Sequence, residues 1–99
     1  MTINKTLDNE ILRLDLDGRL DTVTAPVLEN ELKSAFNEAG KIVMDFSKLT
    51  YVSSAGLRVL LMGQKTATEK SVLLTLTGVS EEIMEVFEMT GFSDILTIE

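Results

Sequence analysis

Histidine and cysteine are both absent from this 99-residue sequence. Without them the usual Ser–His and Cys–His nucleophile pairs cannot be assembled. Histidine-ligated zinc, thiolate metal sites and disulfide staples are excluded by the same count. Long hydrophobic runs are also missing. The apolar stretches are short and broken by charges, so no membrane insertion is expected. The first residues, MTINKTLDNE, lack the apolar core of a signal peptide, which gives a cytoplasmic location as the expectation. Positive charge is scarce: nine basic residues face sixteen acidic ones, for a formal net charge of -7. The basic residues are scattered, so nucleic acid and anionic lipid surfaces would be repelled, and a protein partner is expected instead. There is no repeat, low-complexity tract, phosphate loop, paired-carboxylate motif or metal motif. Asp21 and Asp45 are carboxylates that could serve acid–base chemistry. With nothing to pair them, neither an enzyme nor a cofactor is expected.

What is present is a globular composition. Hydrophobic residues make up 44%, enough for a modest core in one domain spanning residues 1–99. Ile3 and Leu7 suggest a strand that pairs across an Asp8-Asn9 turn with Ile11–Asp17, where Leu12, Leu14 and Leu16 share a face and Gly18 ends the run. Thr24-Ala25-Pro26 opens a helix, proline being tolerated in the first turn. Val27, Leu28, Leu32, Ala35 and Phe36 would form its buried stripe, and Gly40 would stop it. Ile42–Phe46 reads as a central strand buried on both faces. A second helix runs from about Ala55 to Glu69, with Leu57, Leu60, Leu61 and Ala67 inward. Ser71–Leu76 reads as another strand. Ser80 caps a third helix with core contacts Ile83, Val86 and Phe87, and Gly91 ends it. Ile95, Leu96 and Ile98 form a last strand. The alternation predicts an α/β fold: a mixed sheet with an N-terminal antiparallel hairpin and helices packed on it.

The segment Lys41–Leu61, KIVMDFSKLTYVSSAGLRVLL, carries most of the functional information. Ser53-Ser54-Ala55-Gly56 leads into the second helix, so a serine hydroxyl sits at a helix start, where several N–H groups lack partners. Ser54 then reads either as a plain N-cap or as a hydroxyl able to carry a phosphoryl group at the positive end of a helix.

The pattern D-F-S-x-L-x-Y-V-S-S-A-G-L-R-V-L-L resembles the signature of the STAS domain, the fold of bacterial anti-sigma factor antagonists. Gly18-Arg19-Leu20-Asp21 looks like that family's loop between second strand and first helix. Thr90-Gly91-Phe92-Ser93-Asp94-Ile95 looks like its turn into the last strand. In chain order the three motifs run from residue 18 to residue 95, so the resemblance extends over most of the chain. The resemblance implies that Ser54 is a phospho-acceptor, modified by a partner that is both anti-sigma factor and serine kinase and restored by a phosphatase. ATP would belong to the kinase. Unmodified, the chain would bind the anti-sigma factor and so release a sigma factor for transcription. Many phosphorylated members carry Asp where this chain has Ser53. That difference favours an alternative reading, a non-switching STAS accessory subunit of a transporter or other complex, such as the lipid-transport ATPases.

Around Ser54 the expected partner surface comprises Asp21, Ser53, Gly56, Leu57, Arg58, Val59 and Met62. Ser53 reads as a turn residue. Gly56 either relieves crowding in the first helical turn or lets a partner come close. Asp21 is a cap or turn former that the resemblance brings near the acceptor serine. Val59 and Met62 are expected to be exposed on the second helix, as an adaptable docking patch. Asp45 lies at a strand end where α/β proteins place ligands; holding a loop by hydrogen bonds is the preferred reading.

Overall fold

A computed structural model describes all 99 residues. Five strands form one sheet in the order β1 (Thr2–Asp8), β2 (Ile11–Leu20), β3 (Lys41–Val52), β4 (Leu73–Thr77), β5 (Thr97–Ile98). The helices α1 (Ala25–Ala35), α2 (Ser54–Lys70) and α3 (Glu81–Thr90) alternate with the last four strands, and a single 3-10 turn, Phe92–Asp94, precedes β5. The hairpin β1–β2 is antiparallel and every later pairing is parallel. Its two-residue turn is Asn9-Glu10, one residue later than expected. Both have positive φ, 50° and 67°, the twist a tight hairpin demands.

The monotonic strand order decides where the helices go. Right-handed crossovers that all step in the same direction leave their helices on the same face of the sheet. That face holds the core: Leu12, Leu14 and Leu16 of β2, Ile42, Met44 and Phe46 of β3, and Leu74 and Leu76 of β4 are all buried. Phe46 meets Phe87 of α3 with ring centroids 6.4 Å apart and tilted, a favourable aromatic arrangement. The other face carries no helix. Val43, expected to be buried, is therefore only partly covered. The rest of that face is mixed: Ile11 and Leu73 are exposed on it, while Asp15 stands directly opposite Asp45 and Arg13 bridges the two like charges.

Several elements differ from the expectation. Strand β2 continues past Gly18 to Leu20, because Gly18, at φ +116°, takes up a register shift rather than ending the strand. Strand β3 does not stop at Phe46; it runs on to Val52, with Leu49 and Val52 buried. Helix α1 ends at Ala35, ahead of Gly40, and Val27 is 50% exposed rather than part of its stripe. Ser71 caps α2 instead of opening β4, and Ile95 is exposed beside a β5 of only two residues.

Candidate functional site

Strands β2 and β3 end side by side, with Leu20 paired to Val52. The chain then diverges into two loops. One is Asp21–Thr24, leading into α1; the other is Ser53 alone, leading into α2. The Ser53 N–H donates to the Leu20 carbonyl at 2.8 Å, which locks the start of α2 against the end of β2. The Asp21 loop and the Ser53-Ser54 pair are thus neighbours, as the family resemblance implied.

Ser53, not Ser54, is the cap of α2. Its backbone is extended and its Oγ accepts the Gly56 N–H at 3.2 Å. Ser54 is the first helical residue and is exposed, its hydroxyl outside that capping bond. The N–H groups of Ser54 and Ala55 belong to the first turn, which has no intrahelical acceptors, and they face the region of positive helix charge.

Gly56 is buried, and an added Cβ would stand 2.7 Å from Leu20 Cγ and 3.0 Å from the Leu20 carbonyl oxygen. Its missing side chain lets the first turn of α2 press onto β2. Of its two readings, relief of crowding is the one the packing demonstrates. Val59 is a correction: it is 5% exposed, in the core, and cannot form part of an exposed patch. A helix that packs on the sheet with one side and against the neighbouring α1 with another buries more than one narrow stripe, which is why Val59 and Gly63 are covered while Leu57 and Leu61 are only partly so. Met62 is partly covered and lines a groove between α1 and α2. Arg58 is exposed.

Asp21 caps the approach to α1. Its Oδ1 accepts the N–H groups of Val23 (3.0 Å) and Thr24 (3.1 Å), and its own N–H donates to Thr24 Oγ1 at 2.8 Å. The Thr24 N–H, above all, holds the Asp21 carboxyl below its ordinary pKa, with the Thr24 hydroxyl, Val23 and Arg19 adding to it. Asp45 behaves as a loop holder: its Oδ1 accepts the Ser47 N–H at 2.8 Å. That bond, ahead of the contribution from Arg13, lowers its pKa.

Three exposed residues at this end were not among the expected partner contacts. Val23 is 81% exposed and Tyr51 42% exposed, and Arg19 lies 4.2 Å over the Tyr51 ring while reaching Asp21 at 4.0 Å. Val23 had a legible signal: it is an apolar residue in a loop, outside any periodic pattern. Tyr51 had none, because β3 was expected to end earlier. No helix is long and apolar enough to cross a membrane, and no group of three or more potential acidic metal ligands occurs.

With this geometry in place, comparison with known proteins is specific. The family model described as "Mlab, STAS domain" matches residues 3–97. The anti-sigma-B factor antagonist of Listeria monocytogenes is 29% identical over 96 residues, covering 96% of this chain and 84% of its own. The structure of the anti-sigma factor antagonist SpoIIAA in its unphosphorylated form superposes with a TM-score of 0.83 at 17% identity, covering 99% of this chain and 88% of that one. The phosphorylated form of the Bacillus cell fate determinant SpoIIAA gives a TM-score of 0.78, again at 17% identity, over 99% and 91%. At that identity the two structures establish the shared fold.

Proposed function

Since this chain belongs to the STAS domain family, we propose that it is an anti-sigma factor antagonist, switched off by phosphorylation of Ser54. The relatives' names support the general role. The observation that carries the switch is the division of labour at the start of α2: Ser53 caps the helix, and Ser54 is exposed and free of that duty. A kinase could modify Ser54 without removing a structural hydrogen bond. The added charge, about -1.5 to -2, would fall beside unpartnered N–H groups, so the fold would tolerate it while a docked partner would not. In this reading the partner is an anti-sigma factor that is also the kinase, and a phosphatase reverses the step. Asp21, Arg58 and the exposed Val23 and Tyr51 lie at the serine's end of the sheet and would form the contact surface, with Met62 two turns further along α2 at its edge.

Ser53 in place of the Asp found in many phosphorylated relatives gave weight to a non-switching accessory role. Serine and aspartate are among the strongest N-caps, so the exchange preserves the capping bond, and that weight is reduced.

Two measurements test the proposal. Incubation with the anti-sigma kinase and ATP, followed by intact-mass and fragment analysis, should place one phosphate on Ser54 and none on the Ser54→Ala variant. Ser54→Asp should then bind the anti-sigma factor at least about tenfold more weakly by calorimetry, because an unpaired charge buried in an interface costs several kcal/mol and 1.4 kcal/mol is a factor of ten. Unchanged affinity in a folded Ser54→Asp variant would favour binding without a switch.

A further inference from the structure

We infer that Arg58 is the internal counter-ion of phosphorylated Ser54, so that modification both adds an anion and withdraws a cation from the docking surface. The inference rests on the reading of Ser54 as phospho-acceptor. Ser54 and Arg58 are four residues apart on α2 and both are exposed. Residues at that spacing stand one above the other, their Cβ atoms about 5–6 Å apart. Helical side chains lean toward the N-terminus, and long ones fold back over the preceding turn. The guanidinium of Arg58 is therefore carried toward Ser54, and an anion placed N-terminal to a cation is the more favourable order. Arginine also matches phosphate oxygens two at a time.

The second observation is that Arg58 is uncommitted. It takes part in none of the protein's salt bridges. Arg19, the other cation at this end of the sheet, is already engaged by Asp21 and by the Tyr51 ring. The remaining cations without an acidic partner lie elsewhere: Lys41 at the start of β3, Lys48 on the open face of the sheet, and Lys65 and Lys70 in the second half of α2. In a chain of net charge -7, an unpaired arginine one turn from the modified hydroxyl is a conspicuous feature. Before modification it is available to an acidic group of the partner. Afterwards the phosphate, held to the same helix, competes for it at high effective concentration. The partner then meets a neutralised arginine as well as a new anion.

The test installs phosphoserine at position 54 by coded incorporation, without any kinase, and follows the phosphate by phosphorus NMR as pH is varied. In the otherwise unaltered protein the second ionisation should lie below its ordinary value of about 6. In Arg58→Gln it should rise by at least about 0.3 pH unit at low salt, and Arg58→Lys should restore part of the depression. The difference between the two proteins should shrink in about 1 M salt, where the Debye length is about 3 Å. Arg58→Ala, which keeps strong helix propensity, serves as the second variant. Identical titration with and without the arginine would overturn the ion pair and leave the phosphorylation switch standing. Failure of any anti-sigma kinase to modify Ser54 would instead remove the switch while leaving this electrostatic pairing measurable.

Discussion

Two adjacent serines divide two tasks at the start of α2, and a pair of substitutions separates them. Ser53→Ala removes the acceptor for the Gly56 N–H and should cost about 1 kcal/mol. Ser54→Ala removes an exposed hydroxyl that bears no capping bond, and its melting temperature should stay close to that of the parent. Thermal melts of the two variants side by side check this; equal losses would mean the capping role is shared. Gly56 sets a stricter condition. Valine there would drive a branched side chain into Leu20, whose Cγ is 2.7 Å from an added Cβ. Overpacking of this kind typically costs about 1–3 kcal/mol, so Gly56→Val should lose stability first and partner binding only as a consequence. A melting temperature within a degree or so of the parent would show that the first turn of α2 can shift away from β2.

Elements were legible where local pattern and packing agree. The hairpin, three helices and alternation of strands follow from leucine periodicity, Ser80 as a start and Gly91 as a stop; the cap of α2 was read one residue late, on Ser54, and falls on Ser53. The boundaries of β2 and β3 were not, for one physical reason. Both strands carry polar residues beyond their apolar runs, and polar residues beside a glycine look like loop. Here Asp17 and Lys48 lie on the uncovered face of the sheet, where charge is welcome, and the Thr50 hydroxyl donates to the Gly18 carbonyl across the pair, so all three are strand residues. Gly18 is the hinge of that misreading. Its φ of +116° lies outside what a side chain accepts comfortably, and it takes up the register shift that aligns Leu20 with Val52. Gly18→Ala should therefore destabilise by about 1–3 kcal/mol and loosen the Leu20–Ser53 contact. Hydrogen exchange at the Ser53 N–H, faster in the variant than in the parent, would report that loosening; unchanged protection would show that the bulge tolerates a side chain. The candidate site was half legible by the same logic. Ser54 at a helix start, Asp21 in a loop and Arg58 on the outside of α2 stand where the sequence placed them, but Val59 was assigned to the surface because a seventeen-residue helix that packs on the sheet and also against α1 buries a wider arc than its strict apolar stripe indicates.

At the scale of the molecule, an acidic chain must manage carboxylates at its loops and on the open face of its sheet, and it holds two of them, Asp21 in the loop before α1 and Asp45 on β3, by hydrogen bonding them in their charged form. The folded protein holds Asp21 and Asp45 below their ordinary pKa, chiefly through the N–H groups of Thr24 and Ser47 respectively. The unfolded chain takes up protons at the ordinary carboxylate value, near 4, while the folded chain resists until lower pH. Between those values the unfolded state binds more protons, so stability rises with pH. The contribution is complete above the ordinary value and disappears as pH falls through the lowered ones. Lys5, held above its ordinary pKa by Glu38, acts at the opposite limit: its contribution is present below pH 10.5 and is lost as pH rises through the raised value, so it leaves the acid limb untouched. Both carboxylates are partly solvated, so the effect should be modest and should weaken with salt. The variant Asp21→Asn with Asp45→Asn keeps an amide oxygen for each N–H donor and removes the titration. Melting temperatures measured from pH 7 down to about pH 2 should fall more steeply for the parent below about pH 4. The variant should start lower at neutral pH and converge on the parent in acid. Parallel curves across the whole range would show that other carboxylates, not these two, govern acid unfolding.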